Sequence, residues 1–536
     1  MTQDGKTINF IHAFLGRGEN GTQKIVLLAP YHTNFATATC NLFQNGIKVA
    51  SKTTGFKDKE VRNFIFEFEN LLVDVEYTYN FEANNQILDL GGGLANDDLK
   101  FTYWKTLSSS SEVVLVSCNG VDEFKKPTLK WEMWRRLHNT AITATEKPKL
   151  LILGGDQYYQ DATEKEFIDK LKGEVTPELR LQVKMAAIKR AFEQTSDLSY
   201  RKLMAQIPSI AMLDDHDITD GAGGRLFVGN EFEKKYLNYA PILIEVFEAF
   251  QASRNPSPLI KKSGSGYSCI LDLGNSALVV LDLRTEKNSM KKKLMENDHK
   301  AAVFEAIQAL PHKNVMLLIP VVPARSSREL EGALTGLAKL CKLKSVQNWF
   351  SKIHPKLGEL ISFIAESEDD LEDGLTSDSG LPFFTELLTA MSTKAAKGTN
   401  YTILTGDIHT GGTVEMMVTT SSTRFTVPII VSSPIGYYPM PKIAEGLLKE
   451  STYIRIQSGE VLIEAVPNQF YTNRNFVFLN PEKLITDKVH AARIYQEGVS
   501  GFKRLALDSW EPDKLTPHTA TTIAVKPEPA TAETTL

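Results

Sequence analysis

The sequence predicts an α/β fold preceded by a small all-β sandwich. Three observations carry that prediction. From about residue 112 onward, short apolar runs alternate with helical stretches, the mark of a sheet layered with helices. Before that point, strand-like segments follow one another with no strong helix pattern between them. Over all 536 residues the composition is ordinary, 42% hydrophobic and 23% charged, which excludes a mainly disordered, collagen-like or coiled-coil chain.

The N-terminal segments KIVLLAPY, TATCNLF and NFIFEFENLLVDVEYTYNF are rich in Val, Ile, Phe, Tyr and Thr, and are broken by Gly, Asn and Asp. They predict an immunoglobulin- or fibronectin-like sandwich over 1–107. Within it, 72–79 (LVDVEYTY) reads as a turn entering a strand, with a tyrosine that packs and hydrogen-bonds at the corner. A polar linker, 108–111, leads into the α/β unit at 112–505. Its strand candidates are 113–118, 150–153, 207–213, 277–281, 314–320, 401–405 and 428–431. One helix is signalled clearly: Thr176 is a cap, Pro177 and Glu178 fill the first turn, and Leu181, Met185, Ile188 and Phe192 recur at helical spacing. An insert near 341–384 carries 366–373 (ESEDDLED), six acids in eight residues, which reads as a solvated loop rather than a metal site. The Thr/Pro/Ala-rich end, 512–536, has no periodicity and is expected to be a disordered tail.

Lys and Arg number 60 and Asp and Glu 65, so the formal charge is −5, with no broad attraction to nucleic acid or anionic membrane. Four cysteines cannot make a disulfide framework. No apolar run reaches the roughly 18 residues of a membrane helix. The start, MTQDGKTINF, lacks the regions of a signal peptide. The expected compartment is the cytoplasm, with export by a non-cleaved route left open. No partner for the N-terminal sandwich is specified.

Three acidic motifs each follow an apolar strand candidate: LGGDQYYQD at 153–161, LDDHDITD at 213–220 and LTGDIHT at 404–410. Ligand sites in open α/β sheets lie at the C-terminal ends of strands. In the first motif, two glycines let the chain turn tightly and aim Asp156 into the site, although an Asp after a strand is often a helix cap. In the second, four ionisable groups in a row would repel one another if buried without a cation; the bland reading is an exposed acidic turn. In the third, Asp407 and His409 lie two apart and would share one face of an extended segment. Taken together, the motifs point to a metal centre that only folding can assemble.

The set resembles the calcineurin-like metallophosphoesterase superfamily. The order SC, GDxxY, DDH[E/D], DxR, GDxH resembles the PhoD-like alkaline phosphatases more closely, and GDxxY is also similar to purple acid phosphatases. The resemblance covers roughly 1–500. It implies a four-layer metallophosphoesterase sandwich of mixed sheets flanked by helices, behind an immunoglobulin-like domain. It implies a hydrolase that cleaves phosphate mono- or diesters by a metal-bound hydroxide, with no covalent intermediate. Asp156 would bridge two metals about 3.5–4 Å apart. Tyr159 and Cys118 would add a phenolate and a thiolate, which favour Fe(III) on one position, with Ca, Mn, Mg or Zn on the other. Asp215, Asp407 and His409 would complete the ligands. His216 would hydrogen-bond a phosphoryl oxygen or protonate the leaving alkoxide, Asp217 would orient it, and Arg284, in DLRT at 282–285, would contact phosphate or support the fold.

The sequence departs from the wider superfamily in lacking the opening DxH, where Cys118-Asn119 stands, and a middle histidine after 314–320, where VVPAR follows. The PhoD-like group shares both absences. The continuation Asp217-Ile218-Thr219-Asp220 also differs, since that group more often has Glu and a nearby Asn. Other classes fit worse. A cysteine phosphatase needs Arg six residues after its Cys, and Phe124 follows Cys118 at that spacing. His216-Asp217 follows a strand, unlike the helical HD phosphohydrolases. GAGGR at 221–225 is too short for a nucleotide loop; it reads as a turn at the mouth of the site. The non-enzyme alternative is a decayed relative acting as a binding or host-interaction protein, which metal content separates from an enzyme. Substrate choice is expected in 230–256 and 341–384.

Overall fold

The structure, a computed structural model, describes residues 8, 10–123, 129–144, 147–224, 233–261, 266–323, 375, 377, 380–439 and 454–507. The acidic run 366–373, most of the insert at 341–384, Arg225 and the tail 512–536 lie outside the described residues.

Two large sheets form the centre. The first has nine strands, in spatial order Lys503–Arg504, Ala492–Gln496, Asn475–Leu479, Val113–Val116, Leu150–Leu153, Ser209–Ala211, His12–Arg17, Gln23–Ala29 and Arg62–Phe68. The second has eight: Cys269–Asp272, Ser276–Val280, Asn314–Ile319, Asn400–Thr405, Arg424–Val431, Gly411–Thr419, Val461–Tyr471 and Ile454–Ser458. Each α/β strand candidate read from the sequence falls on one of these. The runs are apolar throughout because both faces of each sheet are covered. Val113, Leu115, Leu150 and Ile152 point between the sheets, where they meet Leu278, Val280, Met316, Leu318, Leu404 and Ile430. Their neighbours Val114, Val116, Leu151 and Leu153 point outward onto helices. Those helices include Glu132–Thr143, Pro177–Glu193, Leu198–Gln206 and Glu233–Phe250. On the far side, Val279, Val315 and Leu317 pack on Asn297–Ala309 and Leu381–Ala395. The order of layers is therefore helix, sheet, sheet, helix. Each fully buried aliphatic side chain stabilises it by about 1.5–3 kcal/mol.

Helix Pro177–Glu193 starts where its cap predicts: Thr176 Oγ1 accepts from the Leu179 N–H at 3.2 Å. Met185, Ile188 and Phe192 are buried, but Leu181 is 44% exposed, so it belongs to the solvent face and not to the predicted apolar stripe.

In the N-terminal region a small sheet, Ile47–Gly55, Thr37–Gln44, Glu76–Ala83 and Gln86–Ile87 with Lys100–Thr102, packs on strands of the first large sheet. Cys40, Leu42, Tyr79 and Phe81 face Ile25, Leu27, Phe64 and Phe66 across that contact. At the corner, Tyr77 Oη accepts from the Leu72 N–H at 2.9 Å. The sequence separates this region from the rest at 107, whereas His12–Arg17 pairs in parallel with Ser209–Ala211, Gly16 opposite Ser209. Three strands of this region, His12–Arg17, Gln23–Ala29 and Arg62–Phe68, thus lie in the first large sheet, and the other five form the small one. Among the described residues, no helix is long and apolar enough to cross a membrane.

Candidate metal centre

Five strands end at one seam between the two large sheets: Val113–Val116, Leu150–Leu153 and Ser209–Ala211 on one side, Asn400–Thr405 and Arg424–Val431 on the other. The seam is sewn by hydroxyls. Ser117 Oγ donates to the Ser432 carbonyl at 2.7 Å, and Ser432 Oγ donates to the Leu115 carbonyl at 2.9 Å. A Cβ on Gly406 would sit 2.2 Å from Ser117 Oγ, so only glycine lets the two turns approach. Gly155 has φ +91° and would clash with Asp214 if it carried a Cβ.

Beyond the strand ends, Cys118, Asp156, Asp407 and His409 have φ of 53°, 56°, 70° and 51°. Left-handed backbone at non-glycine residues costs about 1–3 kcal/mol each and persists where the surroundings over-determine it, often at functional sites. This corrects one expectation. Asp407 and His409 do not lie on an extended segment, because the strand stops at Thr405 and a tight turn follows, with the His409 N–H on the Asp407 carbonyl at 2.8 Å.

Asp156 is buried at the centre. Its Oδ2 accepts from Cys118 Sγ and from Tyr159 Oη, both at 3.4 Å, while its Oδ1 has no hydrogen-bond partner. Burial and the neighbouring Asp214 push its carboxyl well above the usual range. Burial and Asp156 likewise raise the Cys118 thiol, and burial with Cys118 and Asp156 raises the Tyr159 phenol. Asp214 and Asp215 are held by Arg284, whose Nε donates to Asp214 Oδ1 at 2.6 Å and whose Nη2 lies 3.5 Å from Asp215 Oδ1. Asp214 Oδ2 and Asp215 Oδ1 accept no hydrogen bond. Burial raises Asp214. For Asp215 burial is outweighed by Arg284 and His216, which hold it below the usual range. The turn after the second motif serves the same group: the Gly221 N–H donates to Asp215 Oδ2 at 2.7 Å.

His216 is oriented by Asp161, not by Asp217. Its Nδ1 lies 3.0 Å from both Asp161 oxygens. Burial works against the imidazolium, but Asp161, Asp215 and Asp156 raise its pKa well above the ordinary value. Asp217 instead accepts the Gln157, Tyr158, Asp156 and Asp214 N–H groups at 2.9–3.1 Å, and Gln251 Nε2 at 2.8 Å. Burial raises it to about 6 against those bonds. Asp217 therefore fixes the loop that aims Asp156. Asp217→Ala leaves several buried donors unpaired at about 1–3 kcal/mol each, so a loss of at least about 3 kcal/mol in urea unfolding is expected. An unchanged midpoint would contradict this role.

His409 Nε2 lies 3.3 Å from Tyr159 Oη, the same oxygen that reaches Asp156. Burial, then His216, lowers His409 to about 3, which keeps the ring neutral and its lone pair open to a cation. Tyr159 stacks on His216, with centroids 4.3 Å apart, and on Tyr437 at 4.9 Å. The structure thus brings Cys118, Asp156, Tyr159, Asp215, His216, Asp407, His409 and Arg284 to one seam. It adds Asp161, Asp214 and Tyr437, which sequence reasoning did not assign. Asp161 ends the quoted first motif and Asp214 opens the acidic run of the second. Tyr437 carries no local signal.

These residues fit a cation. Asp156, Asp215 and His216 offer ligand atoms all within 4.8 Å of one another, and three carboxylate oxygens at the seam have no donor. Cys118, Tyr159 and His409 add sulfur, phenol and neutral imidazole around the same carboxylate.

No family model matches the sequence, and no curated protein matches it. Among solved structures, that of PhoD is similar over 94% of this chain and 93% of that chain, with a TM-score of 0.56 at 13% identity. A purple acid phosphatase from yellow lupin (Lupinus luteus) seeds has a TM-score of 0.48 at 10% identity, over 87% of this chain and 69% of that chain. The fold of this chain is that of PhoD along nearly its whole length.

Proposed function

We propose that this chain, built on the PhoD fold, is a metal-dependent phosphoesterase acting on phosphate mono- or diesters. One observation carries the reading: Asp156, Asp215 and His216, from two separate strand ends, meet in a buried seam with ligand atoms within 4.8 Å of one another. Asp156, Asp215, Asp407, His409, Cys118 and Tyr159 would hold two metals, Fe(III) beside the thiol and phenol and a divalent ion opposite. A metal pair supplies charge to polarise a phosphoryl oxygen and a nucleophile from water at neutral pH.

The side chains divide the remaining work. Asp161 fixes the His216 ring through Nδ1, which leaves Nε2 to hand a proton to the departing ester oxygen. Arg284 spends its charge on Asp214 and Asp215, so its role is to balance the carboxylates rather than to grip phosphate. Asp217 locks the loop of Asp156, and Tyr159 with Tyr437 walls off water on one side. No activated serine or cysteine is needed as nucleophile; Cys118, buried among Ser117, Ser433 and Asp156, is placed as a ligand rather than as a nucleophile.

The test is metal analysis of the purified protein with a panel of phosphate mono- and diesters. About two metals per chain and turnover that chelation abolishes are expected. Full turnover after thorough chelation, or a stable phosphoenzyme, would overturn the reading. A visible absorption band would support ferric iron; a colourless, fully active protein would reassign that metal alone.

A further inference from the structure

The loop that follows strand Arg424–Val431 was not among the motifs, yet it reaches every ligand-bearing turn of the seam, that of Asp215 through a distant ring contact of Tyr437 with His216, 6.5 Å between centroids. Its backbone is docked on the turn of Cys118: the Ile435 N–H donates to the Ser117 carbonyl at 3.0 Å, and the Gly436 and Tyr437 N–H groups donate to the Cys118 carbonyl, each at 3.1 Å. Ser433 Oγ donates to Cys118 Sγ at 2.9 Å and accepts from the His409 N–H at 3.1 Å. Tyr437 lies farther along the same loop. That ring lies nearly parallel to Tyr159, 10° between planes at 4.9 Å, and 4.3 Å from the His409 ring.

Tyr159 Oη and His409 Nε2 are both ends of rotatable side chains, and His409 also sits on left-handed backbone. Neither has a second ring-face contact among the described residues that could replace Tyr437, apart from the half-buried His216 on Tyr159. Groups that orient ligands commonly tune a metal site through such outer contacts. We infer that Tyr437 is a positioning residue: its ring, held by the loop at 432–437, sets where Tyr159 Oη and His409 Nε2 stand relative to Asp156. This rests on the proposed reading that these three side chains hold metal. The part assigned to the ring is stacking area and shape.

The space for the ring is provided from the other side of the turn. A Cβ on Gly120 would lie 2.3 Å from Tyr437 Cδ2 and 3.0 Å from Tyr159 Cε2. Gly120→Ala therefore displaces the stacked pair without changing residue 437, and provides a second perturbation.

The experiment compares the unaltered protein with Tyr437→Phe, Tyr437→Leu and Gly120→Ala, using the full chain loaded with Fe(III) and Zn²⁺. Three quantities are read: metal retained against a chelator, the position of the visible band, and kcat apart from KM. Tyr437→Leu is expected to lose metal affinity about 10–100-fold, to shift the band, and to lower kcat more than it changes KM. Tyr437→Phe should restore all three, and Gly120→Ala should resemble Tyr437→Leu. If Tyr437→Leu does not fold, Gly120→Ala against Tyr437→Phe decides. Folded Tyr437→Leu or Gly120→Ala with unaltered affinity, band and kcat would overturn the inference, as would failure of Tyr437→Phe to restore them. An unaltered chain that retains no metal removes the proposed function and this inference with it, and is recognised before any substitution is compared.

Discussion

Asp156→Asn is expected to strip the protein of metal and to lower turnover of a phosphate ester by more than the roughly 100-fold that loss of a supporting partner can cost. The reason is placement. Asp156 Oδ2 is flanked by Cys118 Sγ and Tyr159 Oη, each at 3.4 Å, and Oδ1 is left without a donor. A cation bound there would draw on all three side chains at once. The same substitution has an opposite effect on the metal-free fold. Burial and Asp214 raise the folded pKa of Asp156 well above its unfolded value. For a carboxyl shifted in that direction, the folded state binds the proton more tightly, so stability falls as pH rises from the unfolded pKa, about 3.9, towards the folded one. Asparagine carries no such penalty. At neutral pH the metal-free variant should therefore melt at or above the metal-free parent. On adding metal the order should reverse, because only the parent gains, by about 2.7 kcal/mol at a hundredfold excess over Kd. Scanning calorimetry with chelator and with metal reads both arms. A variant that melts well below the parent in chelator would mean that Asp156 is a structural acceptor rather than a cation ligand.

The sequence made the layered part of the fold legible because its signal is local. Strands such as Leu150–Leu153 and Asn314–Ile319 are buried on both faces and read as unbroken apolar runs between helices. The parallel pairing of His12–Arg17 with Ser209–Ala211 was not legible, since it joins segments nearly two hundred residues apart and leaves no local pattern. The site divides in the same way. Asp156, Asp215, Asp407 and His409 announce themselves by polar residues placed just after strands. The partner of His216 does not: Asp217 is adjacent in sequence, but its oxygens are taken up by four backbone N–H groups and Gln251, and Asp161 turns in from the start of helix Asp161–Phe167. Arg284 is 2.6 Å from Asp214, a pairing across 70 residues that the DLRT motif does not announce. Tyr437 acts by stacking, and a tyrosine beside another tyrosine in a loop gives no hint of what it will face.

His216→Ala is expected to lower kcat by about 10²–10⁴-fold, the usual worth of a placed acid or base, while metal content stays near that of the parent. Two readings of this ring compete. Its proximity to Asp156 and Asp215 would suit a ligand, and a histidine whose second nitrogen bonds a carboxylate is a common ligand arrangement. Three features favour the acid. Asp161 takes Nδ1 at 3.0 Å and leaves Nε2, which lies 3.8 Å from Asp220, a side chain 48% exposed. In the metal-free protein Asp161, Asp215 and Asp156 raise the His216 pKa against burial, while burial and His216 lower that of His409; of those carboxylates Asp161 is not assigned to a metal, so its pull on the ring persists in the loaded enzyme. One imidazole is thus suited to giving a proton and the other to binding a cation. The ring also lies flat on Tyr159, which fixes its plane without taking up a nitrogen. Asp161→Asn tests the same assignment at one remove. It keeps the side-chain volume but removes the charge that favours the protonated ring, so kcat should fall in the same direction by less, with KM and metal content nearly unchanged. Esters with better leaving groups should recover part of the loss in both variants, since they need less help from an acid. Loss of metal from His216→Ala in proportion to its loss of activity would assign the ring to the ligands, and an equal deficit for good and poor leaving groups would remove it from proton transfer.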